Sequence, residues 1–283
     1  MKRNAVYVAT GDNYSDPPSK TSDAVLALDR ATGQILWLQQ MTANDAYTVD
    51  CVRPETTNCP DSKGPDFDFG QPPILASLPE GKQVLVIGQK SGVAHALDPD
   101  AKGKILWQTR VGKGGPLGGI EWGSATDQQN MYVALSDIDF RAAPDPDHPG
   151  TRKSELDPEK GGGVFALDLA TGKKVWSAPP PSCGTKKNCS PAQMAAVSAI
   201  PGVIFAGSVD GHLRAYAAKT GAVVWDFDTA REYDTINGQK AHGGAIDAGG
   251  PAIAGGMVYV YSGYAQWGGV PGNVLLAFGL EGK

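Results

Sequence analysis

Four segments of the chain repeat one pattern: Ala27-Leu28-Asp29 through Gly33 to Trp37, Ala96-Leu97-Asp98 through Gly103 to Trp107, Ala166-Leu167-Asp168 through Gly172 to Trp176, and Ala215-Tyr216-Ala217 through Gly221 to Trp225. A repeat constrains architecture more than any single residue does, because each unit buries its faces against its neighbours. Each copy reads as an apolar strand, a turn and a second apolar strand carrying Trp, which is a β-hairpin. Its turn needs a residue that tolerates positive φ, and the glycine of each copy supplies it. The four tryptophans mark a unit of roughly 45 to 50 residues with insertions in the first two intervals, a length that fits one four-stranded propeller blade.

A further apolar strand precedes each hairpin: Ala5 to Ala9, Gln83 to Ile87, Met131 to Leu135 and Val203 to Ala206, with Met257 to Tyr261 opening a fifth unit that continues in Asn273 to Phe278. All are short, β-branched or aromatic, and bounded by Gly or polar residues. With 37 Gly and 21 Pro, turns are too frequent for a helical protein, and no stretch sustains a 3.6-residue period. The expected fold is therefore all-β: a partial propeller ring of about five four-stranded blades, the last cut short, forming a single truncated domain over residues 1–283. Two open ends of such a ring would expose apolar faces and unpaired edges, so self-association is expected. A net charge of −5 gives no reason to expect nucleic acid as a partner. No apolar run approaches the roughly 18 residues of a membrane span.

The four cysteines form two close pairs, Cys51 with Cys59 and Cys183 with Cys189, each bracketing a polar loop between blades. Local pairs of this kind read as staples made in an oxidising compartment, and their spacings are not those of a zinc site. The first residues lead directly into a strand without the apolar core of a signal peptide, so the expectation is a portion of a longer, periplasmic or secreted protein.

The repeat resembles the blade motif of quinoprotein dehydrogenases, eight-bladed propellers that use pyrroloquinoline quinone (PQQ). Ala9-Thr10-Gly11-Asp12-Asn13-Tyr14-Ser15, Gly118-Gly119-Ile120-Glu121-Trp122-Gly123 and Ser262-Gly263-Tyr264 with Gly272 to Phe278 are similar to the polyvinyl alcohol dehydrogenase branch, over essentially the whole chain. The resemblance implies PQQ with calcium at its quinone edge, an alcohol as substrate and cytochrome c as electron acceptor. It implies an aspartate base in Gly64-Pro65-Asp66-Phe67-Asp68-Phe69-Gly70, at Asp68 with Asp66 as competitor. It implies a calcium-ligating oxygen at Asp12 or Asn13, with Asp68 also at the metal, and a cation touching the quinone oxygens at Lys90. Trp122 and Gly123, and more weakly Gly243 and Gly244 beside His242, are similar to cofactor-facing loops. The stretch Gly114 to Gly119 offers little side-chain bulk, which would let backbone approach a planar ligand.

The family's calcium-binding glutamate, adjacent-cysteine disulfide and aromatic floor have no match, and no Cys-x-x-Cys-His is present for covalent haem. The Pro/Asp-rich segment 144–159 is expected as a surface loop. Two classes of function stay open: a PQQ-dependent alcohol dehydrogenase of which this chain carries one side of the site, and a non-enzymatic propeller scaffold for protein interaction or envelope assembly. A fragment inactive by itself is compatible with either.

Overall fold

The computed structural model describes residues 3–53, 57–180 and 182–280. Five antiparallel sheets follow one another along the chain. The first joins Ala5–Ala9, Ala24–Asp29 and Ile35–Gln40. The second joins Ile74–Ser77, Gln83–Gly88, Val93–Asp98 and Lys104–Arg110. Ala125–Thr126, Asn130–Ala134, Val164–Asp168 and Lys174–Ala178 make the third, and Ser198–Ile200, Val203–Gly207, His212–Ala217 and Val223–Asp228 the fourth. The fifth has Ala252–Ala254, Met257–Ser262 and Val274–Gly279. Three sheets are four-stranded, while the first, like the last, has three. One turn of 3₁₀ helix, Val49–Val52, is the sole helical segment among the described residues.

The repeat explains how the sheets stack. Gly33, Gly103, Gly172 and Gly221 take φ of 73°, 73°, 70° and 72°, the left-handed conformation that the turn requires. In the first and third hairpins the aspartate caps that turn, Asp29 accepting from the Thr32 amide at 2.9 Å and Asp168 from the Thr171 amide at 2.8 Å. A register shift recurs at one place in all four, between Ala27 and Leu28, Ala96 and Leu97, Ala166 and Leu167, and Ala215 and Tyr216. Each such bulge adds twist to the hairpin.

The tryptophan of one sheet then lies on the turn glycine of the next. A Cβ on Gly103 would come within 2.6 Å of Trp37, and one on Gly172 or Gly221 within 2.5 Å of Trp107 or Trp176. The indole N–H of Trp107 donates to the Leu169 carbonyl at 3.0 Å, and that of Trp176 to Ala218 at 2.8 Å. An indole buried in this way is worth about 4 to 6 kcal/mol on area grounds. The core is accordingly a series of inter-sheet layers, such as Val84, Val86 and Trp107 against Met131, Val133 and Leu167.

Two insertions differ from expectation or extend it. The segment expected as a loop over 144–159 contributes to a two-stranded ribbon, Phe140–Pro144 paired with Arg152–Leu156 and braced by Arg141 on Glu155 at 2.9 Å. Its strands are mostly exposed and neither Phe-Arg-Ala-Ala-Pro nor Arg-Lys-Ser-Glu-Leu alternates apolar with polar residues, so hydrophobic alternation could not announce them. Glu232–Asp234 and Lys240–His242 form a second small ribbon between the fourth and fifth sheets. Both expected disulfides are present, Cys51 to Cys59 and Cys183 to Cys189, bonds of a kind that form and persist in oxidising compartments.

Candidate active site

Antiparallel strands reverse direction at every turn, so in the first four sheets the loop leading into the strand that opens each Gly-turn hairpin emerges at the same rim as the connections between sheets. The Gly-turn hairpins lie at the opposite rim. Loops 10–23, 89–92 and 135–163 thus share one rim with connections 41–73 and 111–124. Every candidate catalytic or metal residue sits in these loops.

Asp68, Asp66 and Lys90 meet there. The Lys90 ammonium is 2.7 Å from Asp68 Oδ2 and 2.9 Å from Asp66 Oδ1. Asp68 Oδ1 accepts the Asp12 amide at 2.6 Å, and one oxygen from each of Asp12, Asp66 and Asp68 lies within 4.8 Å of the others. The Lys90 backbone N–H also donates to the Asp68 carbonyl at 3.0 Å, tying the two loops together. Gly11 is required beside them, since a Cβ at that position would overlap the Asp68 carboxylate. Asp66 takes φ of 58°, a conformation that aspartate tolerates better than most residues. The fully buried Asp45 holds it there, accepting the Asp66 amide at 3.1 Å and the Phe67 amide at 2.8 Å.

Electrostatics divide the carboxyls. Burial, and then the charge of Asp68, push Asp12 up to about 7. Burial pushes Asp66 up to about 8 against the pull of Lys90. For Asp68 burial also opposes ionisation, but the Lys90 ammonium outweighs it and holds this carboxyl below its usual range. Lys90 is raised, the attraction of Asp68 and Asp66 exceeding the cost of its own burial. Asp68 is therefore the ionised centre, flanked by two carboxyls that resist a second and third negative charge. Two buried neighbours add to the strain. Glu121, with Oε1 unpartnered, is pushed by burial up to about 8, and Asp23, with neither oxygen partnered, up to about 9 by burial and then Asp45.

This donor set fits a hard divalent cation: three carboxylates, one with a buried, unpartnered oxygen, Asp12 Oδ2. Toward a planar quinone the chain offers the Lys90 ammonium and the Trp122 indole, 38% exposed. Trp122 borders the aspartate loop, since a Cβ on Gly70 would lie 3.7 Å from its ring. Gly123 faces away, packed on Ala196 and accepting the Val197 amide.

Other candidates are not brought into the cluster. Asn13 Oδ1 accepts the Ser19 amide at 2.7 Å and closes its own loop, which leaves Asp12 as the neighbour of Asp68. Gly243 and Gly244 pack on Thr229, Ser262 and Val270. Within the Gly114 to Gly119 stretch, Gly119 and Gly114 approach protein, since a Cβ on Gly119 would overlap the Lys90 backbone and one on Gly114 would come within 2.5 Å of Ser91, while Gly115 faces open space. Sequence reasoning passed over Asp45, Asp23 and Glu121. Glu121 adjoins the Trp122 it did single out; Asp45 and Asp23 carry no local signal.

The PQQ_2 family, described as "Outer membrane protein assembly factor BamB", matches residues 21–260. The chain is similar to a polyvinylalcohol dehydrogenase of Pseudomonas sp, 44% identical over 100% of this chain and 43% of that protein. It is similar also to one from Sphingopyxis sp. (strain 113P3), 42% identical over 99% of this chain and 43% of that protein. The chain thus spans less than half the length of the curated relatives it matches. Among solved structures, the quinohemoprotein alcohol dehydrogenase of Comamonas testosteroni matches 99% of this chain and 47% of its own, at 20% identity and a TM-score of 0.61. That likeness shows the propeller fold.

Proposed function

This chain belongs to the PQQ_2 propeller family, on the polyvinyl alcohol dehydrogenase branch of the quinoproteins, and from that premise we propose that it carries the base and the cation-binding side of a PQQ-dependent alcohol-oxidising site in a longer protein. The observation that carries this reading is the cluster of Asp12, Asp66 and Asp68 around Lys90. Three carboxyls against one ammonium leave the site short of positive charge, and calcium ligated by Asp12 and Asp68, with Asp66 in reach, would make up the deficit.

PQQ, when bound, supplies the electrophile that accepts the hydride, which no amino-acid side chain can do. The chain's residues do the rest. Asp68, ionised by Lys90 and the more accessible of the pair, takes the hydroxyl proton of the alcohol. Asp66, whose raised value lies near neutrality, shares that proton across the pair. Lys90 holds both carboxylates in place and presents positive charge to the quinone oxygens. Trp122 forms one wall. Polyvinyl alcohol or another secondary alcohol as substrate, and cytochrome c as acceptor, follow from kinship. The disulfides support a periplasmic or secreted location.

A scaffold role of the kind named in the family description would leave this unstable cluster without a purpose. The test uses the full-length protein with PQQ and calcium, followed by dye-linked oxidation of an alcohol. Asp68→Asn should lower turnover by about 100-fold or more with folding intact. Asp66→Asn should cost less turnover but move the pH profile. Unchanged turnover in Asp68→Asn sinks this assignment of the base, and absence of PQQ-dependent oxidation in the wild type sinks the enzymatic reading.

A further inference from the structure

We propose that Asp137, in loop 135–163 of the third sheet and outside the carboxylate cluster, is a positioning residue for Lys90, acting through the glycine loop that lies between them. This rests on the functional reading above for its catalytic meaning, though not for its geometry.

Three consecutive sets of contacts make the connection. The Asp137 carboxylate is wrapped by the loop: Oδ2 accepts the Lys113 amide at 2.6 Å, and Oδ1 accepts the amides of Gly114 and Gly119, each at 3.0 Å. Backbone N–H groups converging on a carboxylate make an anion nest, and here the anion is internal. Asp137 takes φ of 40° to reach it, and its neighbour Ser136 locks both sides, the amide donating to the Gly119 carbonyl at 2.8 Å and the hydroxyl to Leu117 at 2.7 Å.

The loop so fixed then grips the lysine turn. The Gly115 amide donates to the Lys90 carbonyl at 3.1 Å and the Ile120 amide to the Gln89 carbonyl at 3.1 Å. Glycine is needed for this approach, as side chains at Gly114 and Gly119 would occupy the space of the Ser91 and Lys90 backbones. Finally, the Lys90 amide donates to the Asp68 carbonyl. Lys90 is thus clamped on one side by the loop that carries Asp68 and on the other by the loop that Asp137 holds. Its ammonium must sit within hydrogen-bond reach of two carboxylates at once, a demand a free lysine turn would meet only part of the time. Removing the anion leaves several converging N–H groups without an acceptor, and the loop can relax away from Lys90.

The test compares Asp137→Ala, Asp137→Asn and Lys90→Ala in the full-length protein, with Asp147→Ala as a control on an exposed carboxylate elsewhere in loop 135–163. Amide hydrogen exchange at Gly114, Gly115, Gly119 and Lys90 should quicken by about tenfold or more in Asp137→Ala, with strand amides of the third sheet unchanged. Asn keeps an oxygen for the two glycine amides and should restore most of the protection. Affinity for PQQ, read by titration of its absorbance, should fall about tenfold in Asp137→Ala, and the double variant with Lys90→Ala should fall no further than Lys90→Ala by itself. Additive losses, or exchange unaltered at Gly115 and Lys90, overturn the proposal. Wild-type protein that takes up no PQQ would remove the functional reading, and the exchange comparison would then decide whether Asp137 positions Lys90. If Asp137→Ala does not fold, Asp137→Asn carries both measurements, with a smaller loss of the same sign expected and none overturning it.

Discussion

Raising the pH without a divalent cation should destabilise this protein through its own site. Burial lifts Asp66 to about 8, so between the ordinary carboxylate range and that value the folded chain holds a proton that the unfolded chain releases. A raised acid contributes stability that is present at low pH and is lost as the pH climbs, at about 1.4 kcal/mol per pH unit for each such group. From about pH 5 to about pH 8, Asp66 would cost up to about 4 kcal/mol, little reduced by solvent screening at 7% exposure. Glu121, raised by burial to about 8, acts in the same direction. Asp68, held low by Lys90 against its burial, is ionised in both states across this window and contributes nothing to the slope. A loss of this size is a large part of the 5 to 15 kcal/mol typical of a folded domain. A cation held by the carboxylates offsets part of it, adding about 2.7 kcal/mol at a hundred times its dissociation constant. Urea unfolding across that pH range, in chelator and in calcium, provides the assay. Stability should fall with pH more steeply in chelator than in calcium, and Asp66→Asn should lessen the slope in chelator, leaving the share of Glu121, Asp23 and Asp12. A level curve in chelator would refute the charge deficit on which the cation site is argued.

The stacking of sheets predicts unequal costs at equivalent turns. Gly172→Ala must displace the Trp107 ring as well as adopt positive φ, and should cost about 3 kcal/mol, whereas Gly33→Ala, with nothing within 4 Å, should cost about 1; equal losses by denaturant melts would contradict the packing argument. The face around Gly33 exposes Val6, Ile35 and Leu36, and the fifth sheet exposes Tyr261 and Leu275. We expect the isolated chain to associate at micromolar concentration in sedimentation experiments, and a stable monomer would show that these faces are too small to drive it.

The repeat was legible because its signals are local and redundant: an apolar strand, a glycine turn and a tryptophan, written four times. The edge strands Ala125–Thr126, Ser198–Ile200 and Ala252–Ala254 went unseen because two or three residues cannot display a period. Within the site, Asp68 and Lys90 could be read from motif, but the choice between Asp12 and Asn13 could not, since both are short oxygen-bearing residues after the same glycine. In the structure the Asp12 amide is held by Asp68, while Asn13 turns to Ser19, and on this ground we propose Asp12 for the metal.

What sequence conceals most is the support behind these residues. Asp45 acts on Asp66 and Phe67, and Asp137 on the glycine loop, through main-chain N–H groups that every residue possesses, so neither partner bears a mark. A weaker cue was nonetheless available. In an antiparallel blade the first acidic residue after the strand that precedes the Gly-turn hairpin must emerge on the rim where the inter-sheet connections cross. Asp12, Asp137 and Asp210 occupy that place in the first, third and fourth sheets, following Ala5–Ala9, Asn130–Ala134 and Val203–Gly207. The three serve different ends, since Asp12 joins the carboxylate cluster, Asp137 anchors a loop and Asp210 pairs with buried Arg214 at 2.6 Å. Strand parity thus fixes where such a residue emerges, and the partners supplied by the neighbouring loop decide whether it serves chemistry or structure.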